Sequence, residues 1–399
     1  MTKNLKPAAV LGEPIELPCG IILKNRLIKA PMSDSLGNGE GDPTPAQIRL
    51  YERWAEGGVA LSIIGEVQGA PDSPEKPGNL VLGPTTNQKM LKSLTQRAMI
   101  KGAHIWPQLG HAGALSHLPI SQPKGPSALK IEEFECAGMS IEEIKRLPSL
   151  YAKTASYAKD AGFSGIQIHA AHGFLLSQFL SPLFNRRNDG YGGSIEARCR
   201  IIIEVITEVR RAVGPKFPIG IKMNSTDKLE GGLSQGDALE AVQLLDETSI
   251  DLIDISGGTY FPGAKASSDA SNPGPYFLDF ARHAKELTNV PLMVTGGFKN
   301  REQAANAVSS GVADMVGIAR AMVINPQLPE VWLKDNGENP EFPRFDSSPP
   351  GGITAWYTML LTAIGEDREN EFTLDLPSAL RIYEGRDRDR CIKWQKKFN

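Results

Sequence analysis

Cysteine is scarce in this chain: Cys19, Cys136, Cys199 and Cys391 are far apart and form no Cys-x-x-Cys pair. That spacing argues against a zinc or iron–sulfur site and against a disulfide scaffold. A surplus of one charge is also missing. The net charge over 399 residues is −3 with the six histidines neutral, so nothing points to nucleic acid or to an anionic membrane as a partner. No stretch approaches the roughly 18 unbroken apolar residues of a membrane span. The first residues, Met-Thr-Lys-Asn-Leu-Lys-Pro, contain no apolar run of the signal-peptide kind. No internal repeat or low-complexity segment stands out. What remains is an ordinary soluble composition, 41% apolar and 22% charged, with enough apolar residues for a sizeable core. The expectation is one domain over 1–399 in the cytoplasm, acting on a small molecule, with homo-oligomerisation left open.

Short apolar or β-branched runs alternate with longer helical patterns. Strands are expected at 26–30, 59–64, 104–108, 165–168, 219–223, 252–255, 291–294 and 315–318. Helices are expected at 46–56, 89–101, 141–161, 195–213, 237–247, 277–286 and 301–309. Such alternation implies right-handed βαβ crossovers and a parallel sheet. Eight strands close a barrel just wide enough to be filled by its own side chains, so the fold class is α/β, a (β/α)8 TIM barrel. A doubly wound open sheet is the competitor, but it calls for a glycine-rich fingerprint that 26–35 lacks. Extra length falls in three places: a hairpin around Leu17-Pro18-Cys19-Gly20 capping the barrel floor, a Pro/Gly/Ser-rich stretch at 110–140 that reads as a lid, and a C-terminal extension past Pro326. The extension carries a helical pattern near 356–364 and is expected to pack on the barrel.

In such a barrel the chemistry sits where strands end and their loops begin. Those positions hold Pro31-Met32-Ser33, Glu66, Gln108, His169 and His172, Lys222, Gly296-Gly297 and Ala319-Arg320. The last two pairs follow neighbouring strands and suit a phosphate: glycines let backbone N–H groups approach the anion, and arginine grips it bidentately. A plain Gly-Gly turn beside a surface arginine would look the same, and the coincidence at two adjacent strand ends favours the phosphate. His169 and His172 lie three apart where strand four opens. Two imidazoles so placed suit hydrogen bonding to a substrate carbonyl; a metal reading needs a third ligand, and none stands at metal spacing. Histidines satisfied within a loop are the bland reading.

The run His169-Ala-Ala-His172-Gly-Phe174-Leu-Leu-Ser-Gln178, continued through Asn185-Arg186-Arg187 and Asp189-Gly-Tyr191-Gly-Gly-Ser194 to Arg198, closely resembles the signature of the old yellow enzyme family. Lys24-Asn25-Arg26, Pro31-Met32-Ser33, Gln108-Leu-Gly-His111-Ala-Gly113 and Gly317-Ile-Ala319-Arg320 match in order, and the likeness covers about 12–326. Ile255-Ser-Gly-Gly-Thr-Tyr260 is similar to the branch of NADH:flavin oxidoreductases and NADH oxidases. The resemblance implies FMN across the barrel mouth, NADH or NADPH as hydride donor, and reduction of the activated C=C bond of an enone-type compound by a ping-pong cycle. It places Pro31, Met32 and the Glu66 backbone along the isoalloxazine, Ser33 near flavin O4, Gln108 at the pyrimidine edge and Lys222 near N1 and O2. Gly296, Gly297, Ala319 and Arg320 would hold the phosphate, and His169 and His172 the substrate oxygen.

Three positions depart from the family pattern. Phe174 stands where a tyrosine usually protonates the substrate α-carbon, Ser35 where some relatives carry a second tyrosine, and Ala114 where an arginine is usual. Phenylalanine donates no proton. Tyr260 beyond strand six is then the candidate acid, although an aromatic that only lines the pocket fits the same position. The alternatives are a flavin-dependent isomerase or desaturase, a flavin-free phosphate-binding barrel lyase or isomerase, and a flavin-binding protein without catalysis.

Overall fold

The computed structural model describes residues 6–131, 134–261, 274–334, 337–345 and 348–398. Eight parallel strands form the barrel: Leu27–Lys29, Leu61–Gln68, His104–Gly110, Ile166–Ala170, Ile219–Asn224, Leu252–Ser256, Leu292–Thr295 and Met315–Ile318. Each pairs with its sequence neighbour, and the eighth pairs with the first, which in turn pairs with the second, so the sheet closes on itself. This is the expected (β/α)8 barrel. Leu278–Lys285 starts at Phe277 without a side-chain cap, but six other crossover helices start where a side chain accepts the orphan amide of the first turn. Thr44, Asn87, Ser140, Ser194, Ser234 and Asn300 all do so, each cap being worth about 1 kcal/mol. Ser140 and Glu143 close a full capping box.

Strand alternation sends every second side chain inward and sorts the barrel interior into two zones. The lower zone is apolar: Ile28, Leu61, Ile63, Trp106, Leu252, Met293 and Met315 form a cluster of their own. Trp106 fills it because Gly165 leaves room; a Cβ there would sit 2.4 Å from the indole. Leu17 and Leu23 seal the bottom from the hairpin of Ile15–Glu16 and Ile22–Leu23. The upper zone is polar, holding Gln108, Gln167, Lys222, Asp254 and Thr295. An apolar plug below a polar mouth fixes which end of the barrel does chemistry.

The described residues of the 110–140 connection form two single-turn helices, Gly113–Leu115 and Leu118–Ile120, and a three-stranded sheet of Lys124–Gly125, Leu129–Ile131 and Phe134–Gly138. Aromatic contacts pin it to the barrel: Phe134 meets Phe261 edge-on at 5.3 Å, and Phe261 stacks on Phe184 at 4.0 Å. In the extension, helix Gly352–Gly365 buries Tyr357, Leu361 and Ile364 in the main core. A second helix, Leu376–Phe398, was not expected. It crosses the loop rim, where Arg390 donates to the Ser35 carbonyl at 2.6 Å and Trp394 to the Pro71 carbonyl at 3.1 Å. Among the described residues, no helix is long and apolar enough to cross a membrane.

Candidate active site

The polar mouth is built around Asp254, which is fully buried. One carboxylate oxygen accepts from Lys222 at 2.7 Å and from Gln167 at 3.2 Å, and the other accepts from Thr295 at 2.6 Å. Gln108 donates to Gln167 at 2.8 Å and so joins the same network. Strand register makes this unavoidable, since Gln108 lies opposite Gln167, and Lys222 opposite Asp254. Gln108 and Lys222 are thus joined at the mouth through Gln167 and Asp254. The Lys222 charge is neutralised by a carboxylate that sequence reasoning missed. The signal was present: an aspartate on the inward alternation of an otherwise apolar strand.

His169 is buried and His172 half-buried, and their rings touch each other rather than opening side by side. His169 Nε2 lies 3.2 Å from His172 Nδ1, and His172 Nε2 lies 2.9 Å from the Ser256 hydroxyl. His169 Nδ1 comes within 2.5 Å of Glu66 Oε1, although the contact is out of line for a hydrogen bond and both atoms are unpartnered. Burial pushes the His169 imidazole down to about 3. Burial, then the His169 and Lys222 charges, hold His172 well below the usual histidine range. Both rings are neutral at pH 7, so each brings one N–H. The pair therefore does not present two free donors to an outside oxygen; for a carbonyl to be grasped, one of these contacts opens. The backbone holds His172 in place at φ +60, with its amide donating to Asn224 at 3.0 Å.

Glu66 sits at φ +56 where the second strand slips register between Ile64 and Val67. The bulge turns its carboxyl inward, and burial raises the carboxyl to about 8. Ser33 follows Met32 past strand one and donates to Glu75 at 2.7 Å. Strands seven and eight are hydrogen-bonded neighbours with Thr295 opposite Gly317, so the turns that follow them lie side by side. Gly296 and Gly297 take φ +131 and +83, and a Cβ at Gly297 would press within 2.4 Å of the Gly274 carbonyl. Ala319 precedes the short helix Arg320–Ile324. Among the described residues Arg320 has no carboxylate partner; its guanidinium lies 5.9 Å from the Tyr357 ring centre. A glycine turn that excludes a side chain, beside an arginine without a carboxylate and at the same barrel end as a mouth of amide and ammonium donors, fits a phosphorylated ring of FMN type.

Beside the histidines a cavity of about 600 Å³ opens between the lid and the barrel. Phe174 and Tyr260 form its inner wall, with rings 5.8 Å apart, and Phe174 lies 4.9 Å from His169. Leu115, Leu118, Pro119 and Phe134 give it a mostly apolar lid, while Glu75 and Lys76 line the barrel side. Tyr260 is 68% exposed, which puts its phenol at the cavity rather than in the core. Ala114 leaves the cavity end of the third loop without an arginine, and its amide is held by Gln178. The Ser35 backbone is taken by Arg390 of the C-terminal helix.

The NADH:flavin oxidoreductase / NADH oxidase family matches residues 11–336 of this chain. The chain belongs to that family. An NADH-dependent flavin oxidoreductase, iliE, of Hypocrea jecorina is 34% identical over 358 residues, covering 80% of this chain and 88% of the relative. The protein of the same name from a Neonectria species is 33% identical, and there the match covers 81% of this chain but only 47% of the relative. This chain therefore spans about half the length of some curated relatives. A solved structure of morphinone reductase superposes with a TM-score of 0.71 at 25% identity, over 84% of this chain and 93% of the other. Membership of the NADH:flavin oxidoreductases brings FMN and a nicotinamide hydride donor as cofactors, in agreement with the residues assembled at the mouth.

Proposed function

We propose that this protein is an FMN-dependent NAD(P)H oxidoreductase that reduces the activated C=C bond of an α,β-unsaturated carbonyl or similarly electron-poor small molecule. The reading rests on one observation: the phosphate turn, the Gln108–Lys222 donors, the histidine relay and an apolar cavity all share the loop end of one barrel. Arg320, Ala319, Gly296 and Gly297 hold the phosphate. Gln108 and Lys222 meet the polar edge of the ring, and Pro31, Met32, Ser33 and Glu66 border it. When bound, FMN would supply the hydride chemistry that links the nicotinamide to the substrate. The residues of the chain orient the substrate and manage its charge. An N–H of His169 or His172, released from its neighbour, stabilises the oxygen on which charge develops, and a preorganised donor of this kind is worth about 2.7–4 kcal/mol.

A second reading follows from Phe174, which is packed against His169 and brings no proton to the α-carbon. A site that does not quench the carbanion equivalent suits isomerisation or desaturation. Membership of a flavin family removes the ground for a flavin-free lyase. The proposed setting is the cytosol, in keeping with four free cysteines among the described residues. Anaerobic mixing of the yellow protein with NADH or NADPH, followed by enones, maleimides, nitroalkenes, quinones or oxygen, tests the proposal. Bleaching by a nicotinamide and recovery of colour with 2-cyclohexenone is expected. Recovery only with oxygen or quinones would refute enone reduction.

A further inference from the structure

Reducing a C=C bond needs a proton as well as a hydride, and Phe174 occupies the wall from which a phenol would deliver it. Four other cavity groups could carry that proton besides Tyr260: Glu75, Lys76, His117 and Glu135. His117 is held at about 4 by burial and by the Lys76 charge, so it is neutral at pH 7. Lys76 lies over the Tyr383 ring at 5.7 Å, directed toward the C-terminal helix. Glu135 is solvent-exposed on the lid. Glu75 alone is tied to the barrel mouth: its carboxylate accepts from Ser33, the residue just past Pro31 and Met32, at 2.7 Å. It also feels the Glu66 carboxyl, which touches His169. The half-buried Glu75 carboxyl thus stands between Ser33, the Glu66 carboxyl and the cavity.

We propose that Glu75 is the acid–base residue that exchanges a proton with the carbon α to the carbonyl of a ligand held in this cavity. The inference rests on the reading of the site given above. In reduction, the O–H bond of the Glu75 carboxyl breaks and a C–H bond forms at Cα, using the electron pair of the enolate left after hydride addition at Cβ. The carboxylate is then reprotonated by water from the open cavity. In the reverse sense the carboxylate removes an α-proton and the electron pair moves to the carbonyl oxygen. Burial and then the Glu66 charge raise the Glu75 carboxyl to about 7, against weaker opposing pulls from Ser33 and Lys76. The other titratable groups facing it are Tyr260 across the cavity and Tyr383 of the C-terminal helix. Both protonation states are therefore populated near neutrality, as an acid–base residue requires.

The test separates the proton step from hydride transfer. Oxidised FMN-loaded protein is incubated with cyclohexanone in D2O, and α-deuteration is followed by NMR. Wild-type protein should exchange the α-hydrogens faster as pH rises through about 7, when the carboxylate forms. Glu75→Gln, checked for bound FMN and native circular dichroism, should lose exchange by about 100-fold or more, the contribution typical of a placed acid or base. In stopped-flow, reoxidation of the reduced wild-type protein by 2-cyclohexenone should slow as pH rises through the same value, because the acid form is consumed. Adding Phe174→Tyr to Glu75→Gln should restore reoxidation. Exchange by Glu75→Gln at the wild-type rate, or none by the wild type, overturns the role of Glu75. Failure of NADH to bleach the wild type overturns the reductase reading alone and leaves the exchange result standing.

Discussion

Replacing Asp254 by asparagine is the sharpest perturbation of the barrel mouth. The carboxylate is fully buried and accepts three hydrogen bonds, one of them from the Lys222 ammonium at 2.7 Å. Asparagine keeps the shape but turns one acceptor into an NH2 donor facing other donors, and leaves the buried Lys222 charge unpaired. Breaking a buried ion pair from one side costs about 3–5 kcal/mol, more than the loss of a neutral hydrogen bond at about 1 kcal/mol. Urea unfolding of Asp254→Asn should therefore show a loss of about 3–5 kcal/mol. The double variant Asp254→Leu with Lys222→Met removes both charges, and its loss should be well below the sum of the two single losses. A loss under about 1 kcal/mol for Asp254→Asn, or strict additivity in the double variant, would refute the view of Asp254 as the anchor of the mouth.

Further outcomes follow from the same geometry. Asp254→Asn also frees the Lys222 charge toward the ring, so the two-electron potential of bound FMN should rise, by about 30 mV for each 1.4 kcal/mol of added stabilisation of the reduced form; potentiometric titration reads this. Arg320→Ala should weaken FMN binding by about 10- to 100-fold, the value of a charge-assisted hydrogen bond, as measured by fluorescence titration. Phe174→Tyr should leave FMN binding intact and, with Glu75 in place, change turnover on simple enones little; a large rise would mean that Glu75 does not deliver the proton efficiently. Trp394→Ala should cost about 3–5 kcal/mol in chemical denaturation, because the indole is buried under the loop rim at 1% exposure.

Most of the barrel was legible because strand and helix periodicities differ and each boundary carries a turn or cap. Strand ends then located Gln108, His169, Lys222, Gly296 and Arg320 without further input. The limits are equally physical. Two histidines three apart could converge on one oxygen or on each other, and spacing alone does not choose; the structure shows them hydrogen-bonded to each other. Asp254 could have been found from its inward place between Leu252 and Ser256. Glu75 could not, since its loop has no periodicity and only tertiary packing brings it to Ser33. The final helix escaped because its buried face is thin: Leu376, Ala379, Cys391 and Trp394 are the apolar residues it buries, amid a run of arginine and aspartate.

Flavin content of the purified protein weighs most directly on the mouth as a cofactor site. Gel-filtered protein is heated, the precipitate removed, and the supernatant assayed for FMN, with apo-protein reloaded in parallel. One FMN per chain, bound again after removal and depleted in Arg320→Ala, is the expected result. A folded chain that neither carries FMN nor takes it up would contradict the assignment at its root.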